Sequence, residues 1–262
     1  MQLESIRFDI RDNVAHITLN QPERGNPIDG RFCQEFDAIS TECSANEAVR
    51  AVLIDSKGKY FSVGGDLNSL AKDREFLPRF VNAATADLHM AVSRFARMNA
   101  PVVVAVHALA AGGAVALTAA ADFALAAPSA SFYAAFLGIG LISDTGGTHF
   151  LPRRVGSRRA IEFLMLNQTW RSEEAAAAGL INRIVPPDKL NEEAWALASE
   201  LARGPTRSFG ELKNLMLSTW SEPIESQLEH EARAMLRLAR TEDTWGALQA
   251  VASKRKATFD GR

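Results

Sequence analysis

The chain has little of what marks several common protein classes. Only two of its 262 residues are cysteine, Cys33 and Cys43. They fall ten apart in one predicted helix, on different faces, so no disulfide between them is expected. That usage fits a reducing compartment, and a cytoplasmic location is expected. No cluster of cysteine and histidine has zinc spacing, so no metal is expected. Neither sign of charge dominates: 29 basic and 31 acidic residues leave a formal charge of −2. Together with the lack of a basic stripe, this argues against a nucleic-acid partner, although a local patch could still hold phosphates. No uninterrupted apolar run reaches the roughly 18–20 residues that span a bilayer, so no membrane partner is expected. The opening residues, MQLESIRFDIRDN, lack the basic-then-apolar pattern of a leader. There is no low-complexity tract. What remains is 47% hydrophobic, enough for a sizeable core in one or two domains.

Alternation of apolar and polar residues predicts a hairpin from Ser5–Ile10 and Val14–Leu19. Phe32, Phe36 and Ile39 at helical spacing predict a helix over 29–43, and Val49–Asp55 reads as a strand. Leu77–Met98 carries one apolar stripe of Phe80, Ala84, Leu88, Val92 and Phe95, ended by Pro101. Val102–His107 is a strand, Gly113–Ala120 a helix, and Asp122–Ala127 and Ser131–Tyr133 are further strands. Strands alternating with crossover helices predict α/β architecture. Ser157–Leu166 reads as amphipathic, with Ile161, Leu164 and Met165 inward. Ser172 is the expected cap of a short helix that stops at Gly179, and Ile181–Val185 is the last strand. From Asp188 the chain reads as four helices punctuated by Gly204-Pro205 and Glu222-Pro223. The division expected is a core over 1–195 and a helical region over 196–262.

Two stretches carry the chemistry. Val102–Val106 runs into Ala110-Ala111-Gly112-Gly113 and then a helix start. Tyr60-Phe61-Ser62-Val63-Gly64-Gly65-Asp66 likewise follows a strand and precedes a helix. Glycine admits close approach to the main chain, and a helix start adds unpaired N–H donors. Two such turns could hold one developing oxyanion between them. Either pair taken singly is more often just a turn.

Taken in order with their surroundings, these stretches resemble the crotonase, or enoyl-CoA hydratase/isomerase, superfamily. The resemblance runs from the hairpin and Asn26-Pro27-Ile28 through Phe61–Asp66, Ala110–Asp122 and Gly138–Pro152 to the Lys254…Phe259 tail. It implies a spiral of repeated β-β-α units with a C-terminal helical region that packs subunits into trimers, often paired into hexamers. It implies an acyl-CoA thioester as substrate and no separate cofactor, since coenzyme A is part of the substrate. Gly65, before Asp66, and Gly113, nine residues before Asp122, match the family's oxyanion donors. Arg24, Asn26 and Ile28 match the stretch lining the adenine and phosphate end of CoA. Ser62, Gly64, Asp66 and Leu67 fall in the first loop, where Asp66 mainly braces the loop or caps its helix. Lys254 and Phe259 match a tail that reaches a neighbour's CoA.

Family hydratases use two glutamates, and here those positions are Ala116 and Phe136. Water addition to an enoyl thioester wants two groups managing one water, so ordinary hydratase activity is not expected. Instead Asp144 stands in Gly140-Leu141-Ile142-Ser143-Asp144-Thr145-Gly146-Gly147-Thr148. An aspartate before a helix is commonly just an N-cap. The segment is also similar to that of ring and epoxide isomerases acting on phenylacetyl-CoA derivatives, which carry a catalytic aspartate there. In 4-chlorobenzoyl-CoA dehalogenases the matching aspartate is a nucleophile, and His89 falls where those enzymes have a histidine that aids hydrolysis. The bland reading of His89 is a helix-face histidine beside Leu88 and Val92. Phe136 and Leu141 are expected to wall the acyl pocket.

The expected activity is therefore a double-bond shift in an enoyl-CoA-type thioester. Asp144 serves as acid and base, and the N–H groups of Gly65 and Gly113 hold the enolate oxygen. The alternatives are an aryl-CoA dehalogenase or hydrolase using Asp144 and His89, a weak hydratase, and a CoA-binding protein with no chemistry.

Overall fold

The computed structural model describes residues 3–262. Its first layer is a six-stranded sheet. The hairpin forms as expected, β1 (Ile6–Arg11) antiparallel to β2 (Val14–Leu19). After it come α1 (Gly30–Ala45), β3 (Ala51–Ser56), the short α2 (Leu67–Leu70), the long α3 (Phe76–Arg97) and β4 (Val102–Val106). Then follow β5 (Leu109–Ala111), α4 (Gly113–Ala120), β6 (Phe123–Ala126) and β7 (Ser131–Tyr133). The chain continues through α5 (Gly147–Val155), α6 (Ser157–Met165), β8 (Thr169–Arg171), α7 (Ser172–Ala178) and β9 (Arg183–Ile184). It closes with α8 (Leu190–Ala202), α9 (Thr206–Ser218), α10 (Ile224–Leu238) and α11 (Glu242–Ala252).

The large sheet has the order β1-β2-β3-β4-β6-β9, parallel from β2 onward. A smaller sheet has the order β5-β7-β8. Successive turns of chain thus place one strand in each sheet before a helix: β4-β5-α4, then β6-β7 and, past a loop, α5. This is the spiral of β-β-α units that the resemblance implied. The second sheet was not legible in the periodicity, because β5 and β8 are only three residues long.

Side chains of alternate residues on the large sheet go to opposite cores. Ile17, Val52, Ile54, Val104 and Ala126 face one side, packed with Phe32, Phe36 and Phe95 of α1 and α3. Leu53, Val103, Ala105 and Leu125 face the other, packed with Leu190, Ala194, Ala198 and Ala202 of α8. Burial on both faces explains the near-continuous apolar runs of these strands. The expected division at 195/196 falls inside α8. Ala198 and Ala202 belong to the same core as Leu190, so the core extends to the end of α8. Beyond it, α9 lies on α3. Lys213 of α9 donates to the Phe95 and Ala100 carbonyls and pairs with Asp122 at 2.8 Å.

Two local expectations are also corrected. In α6 the buried residues are Ala160 and Phe163, whereas Ile161 and Met165 are exposed. Ser172 is the first residue of α7, not its cap. The capping bond there is the Arg171 N–H donating to Glu174, and the Ser172 hydroxyl instead donates to the carbonyls of Ala127 and Ala130.

Candidate active site

The two Gly-Gly stretches are stitched side by side. The Ser62 N–H donates to Leu109 O, and the Ala111 N–H donates to Ser62 O. Gly64 has φ +82°, and a Cβ there would stand 2.7 Å from Ala111 O. Only glycine lets the two strands of main chain meet at that point. The next turn is similar: Gly112 has φ +54°, and its N–H donates to Tyr133 O. The residues that follow, Gly65 and Gly113, are left with N–H groups that meet no acceptor among the described residues. Unpaired main-chain donors are the kind of group an oxyanion hole is built from.

Both glycines line one cavity of about 300 Å³. Ile28 and Cys33 come from the start of α1 and the turn before it. Leu70, Phe80, Val81, Ala84, Thr85, Leu88 and His89 come from α2 and α3, and Phe136, Leu141, Ile142, Asp144 and Thr145 from the loop before α5. The walls are mostly apolar, as expected of Phe136 and Leu141. Asp144 is the one carboxylate among the lining residues. Cys33 is a neutral thiol there. Burial, followed by the charges of Asp29, Asp87 and Asp144, pushes it up to about 12.

Asp144 is not an N-cap. The α5 cap position is Gly146, with no side-chain capping bond. The Asp144 carboxylate instead accepts a 2.8 Å hydrogen bond from the Thr145 hydroxyl at Oδ1. The Thr145 N–H donates to His89 Nε2 at 3.2 Å, which makes Nε2 the bare nitrogen and puts the ring hydrogen on Nδ1. Thr145 has φ +55°, left-handed for a β-branched residue, at a cost of about 1–3 kcal/mol. Sequence reading missed Thr145; its only signal was adjacency to Asp144.

Phe136 lines the cavity, but Ala116 does not. Ala116 abuts a closed void of about 10 Å³ with Ser143, Gly147, Leu151 and Phe163. The space of the two family glutamates is therefore walled at one position and packed shut at the other.

Other sequence-predicted residues brace the site rather than line it. Buried Asn26 donates to the carbonyls of Lys57, Tyr60 and Phe61 and accepts from the Gln21 N–H, which ties the first loop to the turn before α1. The Ser62 hydroxyl accepts from the Gly64 N–H. Arg24 pairs with Asp29 at 2.7 Å and Asp66 at 2.9 Å. Asp66 caps α2 through the Asn68 N–H and accepts from the Ser69 hydroxyl. Burial raises the Asp66 carboxyl, but the Ser69 bonds and the Arg24 charge outweigh this and hold it below its ordinary value. Leu67 is exposed at the start of α2, outside the cavity. The tail does not reach the cavity of its own chain: Lys254 is exposed, and Phe259 lies in a cleft with Leu248 and Val251 of α11.

His107 bonds Gly58 O and Ser56, and His149 lies against Phe150, both outside the cavity. A second cavity of about 330 Å³ lies beneath α9, at the far end of β4. It has no N–H turn, and its Asp122 and Lys213 are already paired.

With this geometry in hand, the comparisons are consistent. The pattern of the enoyl-CoA hydratase/isomerase family matches residues 9–262. A protein of Rhodobacter capsulatus named probable enoyl-CoA hydratase is 35% identical over the whole of both chains. The 1,2-epoxyphenylacetyl-CoA isomerase of Escherichia coli is 31% identical over 99% of this chain and 100% of its own. The crystal structure of an enoyl-CoA hydratase from Bacillus anthracis superposes with a TM-score of 0.91, at 27% identity over 99% of this chain and 100% of that one.

Proposed function

The chain belongs to the enoyl-CoA hydratase/isomerase family, and from that premise we propose that it is an isomerase that shifts the double bond of an enoyl-CoA-type thioester. The observation that carries this reading is that one carboxylate, Asp144, shares an apolar cavity with two unengaged N–H groups. An isomerase needs one base and an oxyanion site, whereas a hydratase needs a second group to manage water.

The steps follow from the parts present. A 3-enoyl thioester enters with its carbonyl oxygen at the N–H groups of Gly65 and Gly113. Asp144 takes a proton from the carbon next to the carbonyl. The C–H electron pair moves into a dienolate, whose oxygen the two N–H groups stabilise. The carboxyl then returns the proton to the far carbon of the former double bond, giving the 2-enoyl thioester. Atoms and charge balance, and no water is consumed. Phe136, Phe80 and Leu88 keep water from the dienolate. The adenine and phosphate end of CoA lies along the Arg24–Ile28 turn, and Lys254 and Phe259 act across subunits of a homotrimer or a hexamer. Asp144→Asn lowers isomerisation of a 3-enoyl-CoA by about 10²–10⁴-fold with little change in KM. Full activity in that variant overturns the reading.

One observation favours a second reading. His89 lines the cavity within one residue's contact of Asp144, as an aryl-CoA hydrolase with an Asp144 ester would need. Against it, the Nε2 lone pair is already given to the Thr145 N–H. An aryl ester trapped on Asp144 from a 4-halobenzoyl-CoA would establish that chemistry.

A further inference from the structure

The loop that carries Asp144 keeps a costly residue next to it. Thr145 is fully buried and left-handed; of the other left-handed positions in the same loop, 140 and 146 are glycine and 135 is alanine, which leaves Thr145 the one β-branched residue held there. A glycine at 145 would relieve the backbone but remove the hydroxyl. The hydroxyl has a single hydrogen, and it goes to Asp144 Oδ1 at 2.8 Å. The Thr145 hydroxyl oxygen itself stands 3.3 Å from where a Cβ on Gly113 would be. Thr145 therefore sits between the base and one oxyanion donor, and its own N–H is anchored on His89 of α3.

We propose that Thr145 is a positioning residue that differentiates the two oxygens of Asp144: its hydroxyl holds Oδ1, so that Oδ2 is the oxygen that takes and returns the proton. This rests on the reading of Asp144 as acid and base. The terminal torsion of an aspartate is broad, so a lone carboxylate would sample many orientations. One donated hydrogen bond fixes the plane and makes the bound oxygen the less basic of the two. The other oxygen keeps both lone pairs. A shuttle that lifts a proton from one carbon and sets it on another benefits from a single oxygen with a fixed reach, since small misplacements cost heavily in rate. The titratable side chains sharing the cavity with Asp144 are His89 and Cys33. His89 is spent on the Thr145 N–H, and the Cys33 thiol is neutral.

The test compares Thr145→Val, Thr145→Ala and Thr145→Ser with the unaltered protein on a straight-chain 3-enoyl-CoA. It reads kcat, KM, the pH profile of kcat/KM and the melting temperature. Thr145→Val is expected to lower kcat about 10–100-fold with KM within about twofold. Its acidic limb moves to higher pH, because a carboxylate that has lost a donor is easier to protonate. Thr145→Ala, which eases the left-handed crowding, gives the same loss of kcat without a lower melting temperature. Thr145→Ser restores kcat to within about threefold, since it keeps the hydroxyl. An unchanged kcat and pH profile in the Val and Ala variants overturns the proposal, as does a Ser variant as slow as Val. If Asp144→Asn is inactive while the Thr145 variants are unaffected, only this proposal falls. If Asp144→Asn stays fully active, or the unaltered protein isomerises nothing, the underlying reading falls and this proposal falls with it.

Discussion

Single residues decide the chemistry at this site. On the proposed reading, Ala116 and Phe136 stand in place of a hydratase's acid–base pair, each in a different setting. Phe136 replaces a carboxylate with an aromatic wall. Ala116 is packed close to Gly147, where an added Cβ would stand 3.2 Å from the Ala116 Cβ, beside a void of only about 10 Å³. Restoring a glutamate at 116 therefore does not restore water addition. Ala116→Glu buries a charge in a packed position and is expected to cost at least about 1–3 kcal/mol, measured by denaturant unfolding, with no gain of hydratase activity. Gly113 is exacting in a different way. A Cβ there would meet Ile28 Cδ1 at 2.8 Å and crowd the Thr145 hydroxyl. Gly113→Ala is expected to lower kcat about 10²–10³-fold, comparable to loss of one oxyanion donor, while melting close to the unaltered protein.

At the scale of elements, the site is held by turns that the helices and strands fix in place. Residue 64 is left-handed because two main chains meet there, and Asn26 spends its amide NH2 on the loop carbonyls beside them. In the second turn of α1, fully buried Glu35 accepts from the N–H groups of Glu4, Ser5 and Ile6 and from the Ser5 hydroxyl. It fastens the edge strand β1 to the helix that walls the cavity. Glu35→Ala leaves those donors unpaired and is expected to destabilise the protein by about 2–4 kcal/mol, read from the denaturation midpoint. Much of this level was legible in the sequence. The apolar strands, the α3 stripe and both Gly-Gly turns announced themselves by period and by glycine. Motif and spacing singled out Asp144, Gly65 and Gly113, and the fold brings all three to one cavity. The β5 and β8 strands were not, since three residues carry no period. Nor was the burial of Ala160 and Phe163 over Ile161 and Met165, because hydrophobicity alone does not say which face of α6 meets the core. The anchoring of Thr145 was hidden for a plainer reason: its N–H meets His89, 56 residues earlier in the chain.

At the scale of the whole molecule, the protomer leaves a broad apolar surface. Trp220, Ile224, Leu228, Met235, Leu236, Trp245, Leu248 and Val251 of the C-terminal helices are exposed, as are Ile161 and Met165 of α6. The proposed trimer or hexamer would bury side chains of this kind. Sedimentation at micromolar concentration is expected to show three or six times the protomer mass, and a monomer throughout would contradict the proposed assembly. Acid stability follows from buried carboxylates. Burial alone raises Asp55, but hydrogen bonds from His16 and Thr18, with the charges of His16 and Lys57, hold it below the ordinary value. A depressed folded value gives stability that is complete above the unfolded value near about 3.9 and is lost as pH falls through the lower folded one. Asp55→Asn is therefore expected to make acid unfolding below about pH 4 less steep, as followed by circular dichroism.

In the proposed reaction a single carboxylate moves a proton and no water is added. Mass spectrometry of products formed in water enriched in heavy oxygen is the test, with a 3-enoyl-CoA, a 2-enoyl-CoA and a 4-halobenzoyl-CoA as substrates. A 2-enoyl product carrying no heavy oxygen is expected from the 3-enoyl-CoA. Heavy oxygen in a hydroxyacyl-CoA product, or in a hydroxybenzoyl-CoA with halide released, would contradict it.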